Sequence, residues 1–287
     1  MLRRPWAGAA LARSTDGSSE APLVILRALL GLPLRAPGPG ASRSLRARPK
    51  QQLRRYEVSS LLPNSNVSET RRIAPALPLF EDAFCALSRG SLIETEFGPV
   101  AIEDLQPGDR VVTSDGDLQP LVWKGSTMIV PARPGPNGRN MRLTRIMADA
   151  FGMQRPMSFV LAGPSARLLN TPVHLRAQSG GQQMLTPVQE FIDGMNVIET
   201  APPTSVELYH ICLKRHSTIR IAGLEFETYH PGKDAAKLIS PQMRSLFFNL
   251  FSHAECFGDF GPLAHPRAGE DRMGNSGAED LRVSYAV

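Results

Sequence analysis

A cysteine close to a glycine–hydroxyl pair is the first feature of this chain that could do chemistry. Cys85 lies in AFCALSRGS, five residues before Gly90. Its thiolate would be a strong nucleophile near neutral pH. Thr171 and His174, in TPVH, add a hydroxyl and an imidazole. Because an amide nitrogen must be protonated to leave, a histidine could serve as the general acid. Cys85, Thr171 and His174 are therefore a candidate set for attack on a backbone carbonyl.

Short β-strands must position these residues. The sequence predicts strands at 91–96, 100–102, 110–113 and 119–123, because β-formers there are separated by Phe-Gly-Pro, Gln-Pro-Gly-Asp and Ser-Asp-Gly-Asp turns. Residues 130–140 are predicted to be a loop. The pattern indicates a β-meander.

One segment of the meander has a second copy. IEDLQPGDRV at 102–111 aligns with VQEFIDGMNV at 188–197, matching glycine with glycine and valine with valine. Two readings stay open, a chance likeness of two turn segments and a duplicated β unit with pseudo-twofold symmetry.

The C-terminal part departs from this pattern. Ser240-Pro241 is a typical helix start, and apolar residues then recur at helical spacing as far as Phe251. We expect a helical extension over 233–259, with core packing as its role, and a flexible tail over 260–287.

Charge is segregated along the chain. Residues 1–56 carry 11 Lys and Arg against two acids, whereas the rest carries 21 against 25. The first segment is predicted to be a disordered Arg-rich leader, followed by an extended linker over 57–82. Nucleic-acid binding is not expected, except weakly through this leader. The best apolar run, 21–34, is interrupted by Arg27 and is too short to span a membrane.

Cysteine and histidine usage excludes two kinds of site. Three scattered cysteines make no disulfide framework, and no pair has metal-ligand spacing. We expect no metal and no cofactor, and a cytoplasmic location is favoured. The sequence identifies neither a partner nor a ligand.

Three segments resemble the Hedgehog/intein (Hint) domain family. GSLIETEFGPVAIEDLQPGDRVVTSDGDLQPLVWKG resembles its opening, MLTPVQEFIDG its second half, and VELYHICLKRHSTIRIAGLEFETYHPG its closing segment. The resemblance covers residues 83–232. It implies an all-β, horseshoe-shaped fold of two pseudo-symmetric halves, followed here by the short C-terminal amphipathic helix.

The resemblance also implies self-cleavage chemistry, in which a Cys or Ser at the first position attacks the preceding carbonyl and a Thr/Ser-x-x-His motif assists. Counting four residues back from Gly90 places the nucleophile position at Ala86. The hydroxyl and histidine positions fall on Gly163 and Ala166, in FVLAGPSARLL. All three positions are therefore inert in this register, and only a one-residue insertion would restore Cys85.

The closing segment gives a mixed picture. His216 matches the family's Arg-His pair, but Lys214 stands where an acidic residue is frequent. We interpret His216 and His230 as structural or surface residues and Cys212 as a core residue. No His-Asn pair ends the segment, so splicing is not expected.

Two functions remain open at this point. The first is a Hint domain that has lost autocleavage and acts as a β scaffold or binding module. The alternative is an active autoprocessing domain that cleaves the Phe84–Cys85 bond through an N-to-S acyl shift, without splicing. Whether the protein is an enzyme is therefore open.

Overall fold

The computed structural model of the chain describes residues 53–130 and 142–269, which lie within one compact unit, Lys50–Val287. The predicted leader up to residue 52, the predicted loop over 131–140 and the tail from residue 270 lie outside the described residues. Strands dominate the described part: β1 Leu53–Leu61, β2 Val67–Pro75, β3 Leu87–Ser88, β4 Leu92–Thr95, β5 Gly98–Ala101, β6 Arg110–Val112, β7 Leu118–Ile129, β8 Leu143–Ile146, β9 Val160–Ala162, β10 Arg167–Leu169, β11 Leu185–Pro187, β12 Val197–Thr200, β13 Val206–Leu213, β14 Thr218–Ile221 and β15 Leu224–Glu227.

Helices are short: α1 Pro78–Asp82, α2 Arg176–Ser179, α3 Ala235–Leu238 and α4 Pro241–Phe248, with 3-10 turns at Val173–Leu175, Val188–Phe191 and Phe257–Phe260. The fold is therefore all-β, as the sequence predicts, with a short C-terminal helix.

The strands form two antiparallel sheets. In the larger one the order is β12-β8-β9-β3-β13-β7-β6-β4-β5, and β1 pairs with β7 and with β2. The smaller sheet has the order β11-β10-β15-β14. Strand β7 is the longest, and it pairs with β13, β1 and β6. The four strands predicted at 91–123 correspond to β4, β5, β6 and the first half of β7.

The segment predicted as an extended linker has regular structure instead. Strands β1 and β2 form a hairpin, and β1 adds to the large sheet through pairs from Tyr56↔Thr127 to Ser60↔Trp123. Helix α1 then leads to Cys85. The linker interpretation missed β1 because the pairing that adds it to the large sheet joins residues 63 to 71 positions apart in the chain, beyond any local pattern.

The two copies of the internal repeat have similar local structure. Gly108 and Gly194 both have positive φ, 105° and 78°. Each leads into a strand, β6 or β12, that buries a valine, Val111 or Val197. Glycine is needed at both reversals because other residues rarely adopt this conformation.

Two hydrophobic clusters hold the sheets together. The first core is largely aromatic and includes the hairpin, α1 and α4: Tyr56, Val58, Ala74, Leu79, Phe80, Ala83, Phe84, Cys85, Trp123, Tyr229, Phe247, Leu250, Phe251 and Phe260 are among its members. The second core is mostly aliphatic and includes Ala86, Leu87, Ile93, Ala162, Ala166, Leu168, Val188, Val197, Ile211 and Phe226. The chain crosses from the first core to the second between Cys85 and Ala86.

Part of the segment predicted to be a flexible tail is packed against the domain. Leu185 donates its amide to the Pro266 carbonyl and accepts from the Ala268 amide. Arg267 is 8% exposed. Composition alone indicated a flexible end, whereas a buried ion pair, described below, fixes residues 261–269.

Candidate functional site

Phe84, the residue before Cys85, is held in the first core by aromatic contacts. Its ring stacks on Tyr56 at 4.3 Å between centroids and meets Trp123 edge-on at 5.4 Å. The ring also packs against Gly125, where a Cβ would overlap both Phe84 and Trp123. Trp123 in turn donates its indole N–H to the Leu250 carbonyl at 2.7 Å. The Phe84–Cys85 bond is therefore embedded in packed side chains.

Cys85 itself is fully buried. Desolvation raises the pKa of its thiol well above the usual range, and the nearby Glu81 carboxylate raises it further. The Arg54 guanidinium acts in the opposite direction but does not compensate. Since the thiolate is the reactive form, this environment keeps Cys85 protonated and weakly nucleophilic.

The segment after β9 lies directly against the Cys85–Ala86 backbone. Gly163 donates its amide to the Ala86 carbonyl at 2.8 Å, and Ser165 donates its amide to the Cys85 carbonyl at 3.1 Å. A Cβ on Gly163 would overlap the Cys85 carbonyl. Ala86 and Ala166 are both buried members of the second core. The three positions that the resemblance assigned to chemistry are thus brought together, and they hold two methyl groups and a hydrogen.

Thr171 and His174 have other partners. The Thr171 hydroxyl donates to the Gln182 carbonyl at 3.2 Å and accepts from the Met184 amide at 3.0 Å. The side chain of His174 is 55% exposed and pairs with Glu190, Nε2 to Oε2 3.2 Å. Within the described part of the chain, the contacts of these two side chains do not include Cys85.

The closing segment carries a buried ionic cluster around Glu227 on β15. Its carboxylate accepts from Arg267 Nε at 2.8 Å and from His216 Nε2 at 3.0 Å, and Arg167 lies 3.7 Å away. Burial alone would raise the pKa of Glu227, but Arg267, the His216 hydrogen bond and Arg167 hold that pKa at about 2. His216 also accepts the Ala264 amide through Nδ1 at 2.9 Å. This histidine is therefore buried, with both ring nitrogens hydrogen-bonded within the protein.

Strand β13 carries two further buried side chains that could do chemistry, His210 and Cys212. Cys212 is 3% exposed and belongs to the first core, as predicted. Desolvation lowers the pKa of His210 to about 3, with partial compensation by Glu227, so this imidazole is neutral. His210 Nδ1 accepts the Ile211 amide at 3.2 Å, which places the ring hydrogen on Nε2.

A cavity of about 340 Å³ lies beside this cluster. Its polar lining is Asp82, Ser165, Arg167, His210, Tyr229, His230, Asp234 and Arg267. Sequence reasoning missed the cavity because its lining comes from five separated stretches, at 78–82, 165–167, 210, 229–238 and 267–269. Ser165 and Arg167 flank Ala166, and in a strand such alternation places the two polar side chains on the face opposite the alanine. This alternation was the one sequence signal for the cavity.

The described residues, 53–130 and 142–269, contain neither a metal-binding cluster nor a membrane-spanning helix. They contain no group of three or more His, Cys, Asp and Glu residues arranged to hold a metal ion. No helix among them is both long and apolar enough to cross a membrane.

Comparisons with known proteins place these observations in a family. A protein-family model described as "Hint domain" matches residues 85–233, more than half of the chain, and the match begins at Cys85. No curated protein matches the chain. Among solved structures, a bacterial intein-like domain from Clostridium thermocellum shares 10% sequence identity over 51% of this chain and 99% of its own, with a TM-score of 0.33. On the extent of the family match, this chain belongs to the Hint domain family.

Proposed function

We propose that this Hint domain has lost self-cleavage and acts as a stable β scaffold or binding module. The observation that carries the proposal is the burial of both Ala86 and Ala166 in the second core. The Gly163 amide donates a hydrogen bond to the Ala86 carbonyl beside them. Alanine and glycine side chains can neither attack a carbonyl nor protonate a leaving nitrogen.

The environment of Cys85 supports the same proposal. A thiol whose pKa is raised by burial and by Glu81 is the opposite of an activated nucleophile. The chain before it also belongs to the fold, because β1 pairs with β7 and Tyr56 stacks on Phe84. Cleavage at Phe84–Cys85 would leave the hairpin bound within the core instead of releasing a leader.

The test is the intact mass of the purified protein before and after incubation with dithiothreitol or hydroxylamine. Both reagents cleave a thioester, so an acyl shift at Cys85 would release fragments 1–84 and 85–287. The expected result is one species at full mass under all conditions. Fragments that end at Phe84 would overturn the proposal.

One observation favours the alternative, an active domain that cleaves Phe84–Cys85 through an N-to-S acyl shift. The family match begins at Cys85, and the resemblance implies that active members have their nucleophile at the first position of the domain. Cys85→Ala tests it directly, with Cys212→Ala as a matched buried-cysteine control. If the parent fragments and Cys85→Ala alone abolishes the fragments, the alternative holds. If the Cys85→Ala protein fragments as readily as the parent, Cys85 is not the nucleophile.

A further inference from the structure

The hairpin that precedes the matched Hint region leaves one edge of the large sheet open. Among the described strands, β2 pairs with β1 alone. Its residues, Val67–Pro75, pair with β1 in one continuous register, and its single proline stands at the last position. A regular edge strand of this length presents unpaired backbone groups with which another chain can pair.

The hydrogen bonds of the hairpin show which backbone groups of β2 point away from β1. At the turn, Leu62 donates its amide to the Asn66 carbonyl at 2.8 Å, so these two residues are a hydrogen-bonded pair. Along an antiparallel ladder, such pairs alternate with pairs that do not bond each other. The residues of β2 that direct their N–H and C=O groups to the open edge are therefore Val67, Glu69, Arg71 and Ile73.

The side chains of these four residues are exposed and lie on one face of the sheet. Arg71 lies opposite Glu57 on β1 and bonds to it at 3.2 Å, whereas Glu69 lies opposite a serine. The edge thus carries one carboxylate and one guanidinium two residues apart, flanked by the apolar side chains of Val67 and Ile73. This order of side chains is complementary to itself when it is read in the opposite direction.

We propose that this edge pairs with the same edge of a second copy of the chain, through a two-fold axis that passes between the two Thr70 residues. In this antiparallel register Glu69 lies opposite the partner's Arg71, and Val67 lies opposite the partner's Ile73. The two-fold symmetry makes each pair occur twice. Opposite charges and β-branched side chains that face each other across two strands stabilise a sheet. The same four residues direct their backbone groups outward, so each pair can exchange two hydrogen bonds.

Neighbouring registers are disfavoured by charge. Moving the axis by one residue places Glu69 opposite the partner's Glu69, or Arg71 opposite the partner's Arg71. Like charges directly opposite each other destabilise a sheet. Since one strand of each copy forms the contact, the interface is small, and we expect a reversible dimer with a dissociation constant of about 10–100 μM.

This self-association goes beyond the proposed function and does not rest on it. The hairpin lies outside residues 85–233, the range of the family match. Intact mass tests the loss of cleavage, whereas the experiments below measure association, so either conclusion can fail alone.

Sedimentation velocity of the full-length protein tests the pairing, at concentrations from about 1 to 500 μM, which bracket the expected dissociation constant. The sedimentation coefficient should rise from that of a monomer to that of a dimer. Glu69→Arg and Arg71→Glu should each weaken the dimer at least about tenfold, because like charges then face each other at two places. An equimolar mixture of the two variants should restore it, since the two positive side chains of one lie opposite the two negative side chains of the other.

Arg72→Glu is the matched control for these variants. It makes the same change of charge as Arg71→Glu on the same strand, but Arg72 alternates to the other face of the sheet and lies opposite the partner's Ser68 in the proposed register. Its dimer should dissociate within about threefold of the wild-type constant.

Backbone hydrogen exchange of the wild-type protein carries the test without any substitution. The amides of Glu69 and Arg71 should gain protection as the concentration rises through the dissociation constant. The amides of Thr70 and Arg72 bond to β1 and should be protected at every concentration.

Three results would overturn the proposal. The first is a protein that stays monomeric at the highest concentration. The second is a dimer that neither Glu69→Arg nor Arg71→Glu weakens, or that their mixture does not restore, because the copies would then meet elsewhere or in another register. The third is protection of the Glu69 and Arg71 amides at every concentration, which would mean that the edge is covered within a single copy.

Discussion

Gly163 lies so close to the Cys85 carbonyl that a Cβ on Gly163 would overlap that oxygen. Position 163, where the resemblance places the hydroxyl, can therefore not hold serine or threonine unless the Cys85–Ala86 backbone moves. The close packing of Gly163 against the Cys85 carbonyl thus requires a residue without a side chain at position 163.

This contact predicts that Gly163→Ser destabilises the fold by about 1–3 kcal/mol, the usual cost of overpacking a rigid site. Chemical denaturation measures the change in the free energy of unfolding. Gly258→Ala is the control, because its Cβ would be in ordinary contact, 3.5 Å from Cys256 Sγ, and the expected change is within about 0.5 kcal/mol. A fully stable Gly163→Ser protein would contradict the close approach.

The three cysteines are predicted to differ in reactivity. Cys256 is exposed, whereas Cys85 and Cys212 are buried, and desolvation raises the pKa of both buried thiols. In folded protein at pH 8, iodoacetamide should alkylate Cys256 first and leave the other two unmodified until denaturant is added. Peptide mass spectrometry measures the order. Labelling of Cys85 as fast as that of Cys256 would show that Cys85 is accessible, and would favour the autoprocessing alternative.

The sequence predicted what depends on local patterns. Alternation and turn residues located β4, β5 and β6, and Ser240-Pro241 located the start of α4, where the Ser240 hydroxyl accepts the Met243 amide. Family resemblance directed attention to residues 163–166, which the structure places against Cys85 and Ala86.

What the sequence could not predict depends on contacts between distant residues. Strand β2 has an Arg-rich, mostly exposed face, and only its pairing with β1 makes it a strand. The position of Arg267 is fixed by Glu227, 40 residues earlier. The cavity beside β13 is lined by residues from five separated stretches of the chain, and no local sequence pattern connects those stretches.

The hairpin is predicted to be an integral part of the domain. Tyr56 is fully buried against Phe84, so Tyr56→Ala should lower the free energy of unfolding by about 3–5 kcal/mol. Ile73, on the partner strand, is 71% exposed, and Ile73→Ala should change it by no more than about 0.5 kcal/mol. Denaturant titration compares the two. Equal, small effects would mean that the hairpin contributes little to the stability of the domain.

The buried, neutral His210 is expected to make the stability of the fold depend on pH between about 6.5 and 3. Its pKa is about 3 in the folded protein and about 6.5 when unfolded. Between these values the unfolded chain binds one more proton, so the stability that comes from neutral His210 is present above pH 6.5 and is lost as pH falls toward 3.

In His210→Asn, the free energy of unfolding should therefore depend less steeply on pH between about 4 and 6, by up to about 1.4 kcal/mol per pH unit. His230 and His253, with pKa values lowered to about 4, contribute in the same direction and remain in the variant. Above pH 7 the two proteins should show the same slope. Identical slopes below pH 6 would show that His210 titrates normally.

Among substitutions that remove one charge, Glu227→Gln is expected to lower the free energy of unfolding most. Glu227→Gln leaves the buried Arg267 without its carboxylate, and breaking such a pair costs about 3–5 kcal/mol. Glu199→Gln, which removes an exposed pair with Arg142, should cost about 0–1 kcal/mol. The pKa of Glu227 is about 2, below its unfolded value, so its contribution is complete above about pH 4.5 and is lost as pH falls toward 2. The difference between wild type and Glu227→Gln should therefore shrink across that window in acid denaturation experiments. A difference that stays constant down to pH 2 would mean that the loss comes from packing and not from the ionised carboxylate.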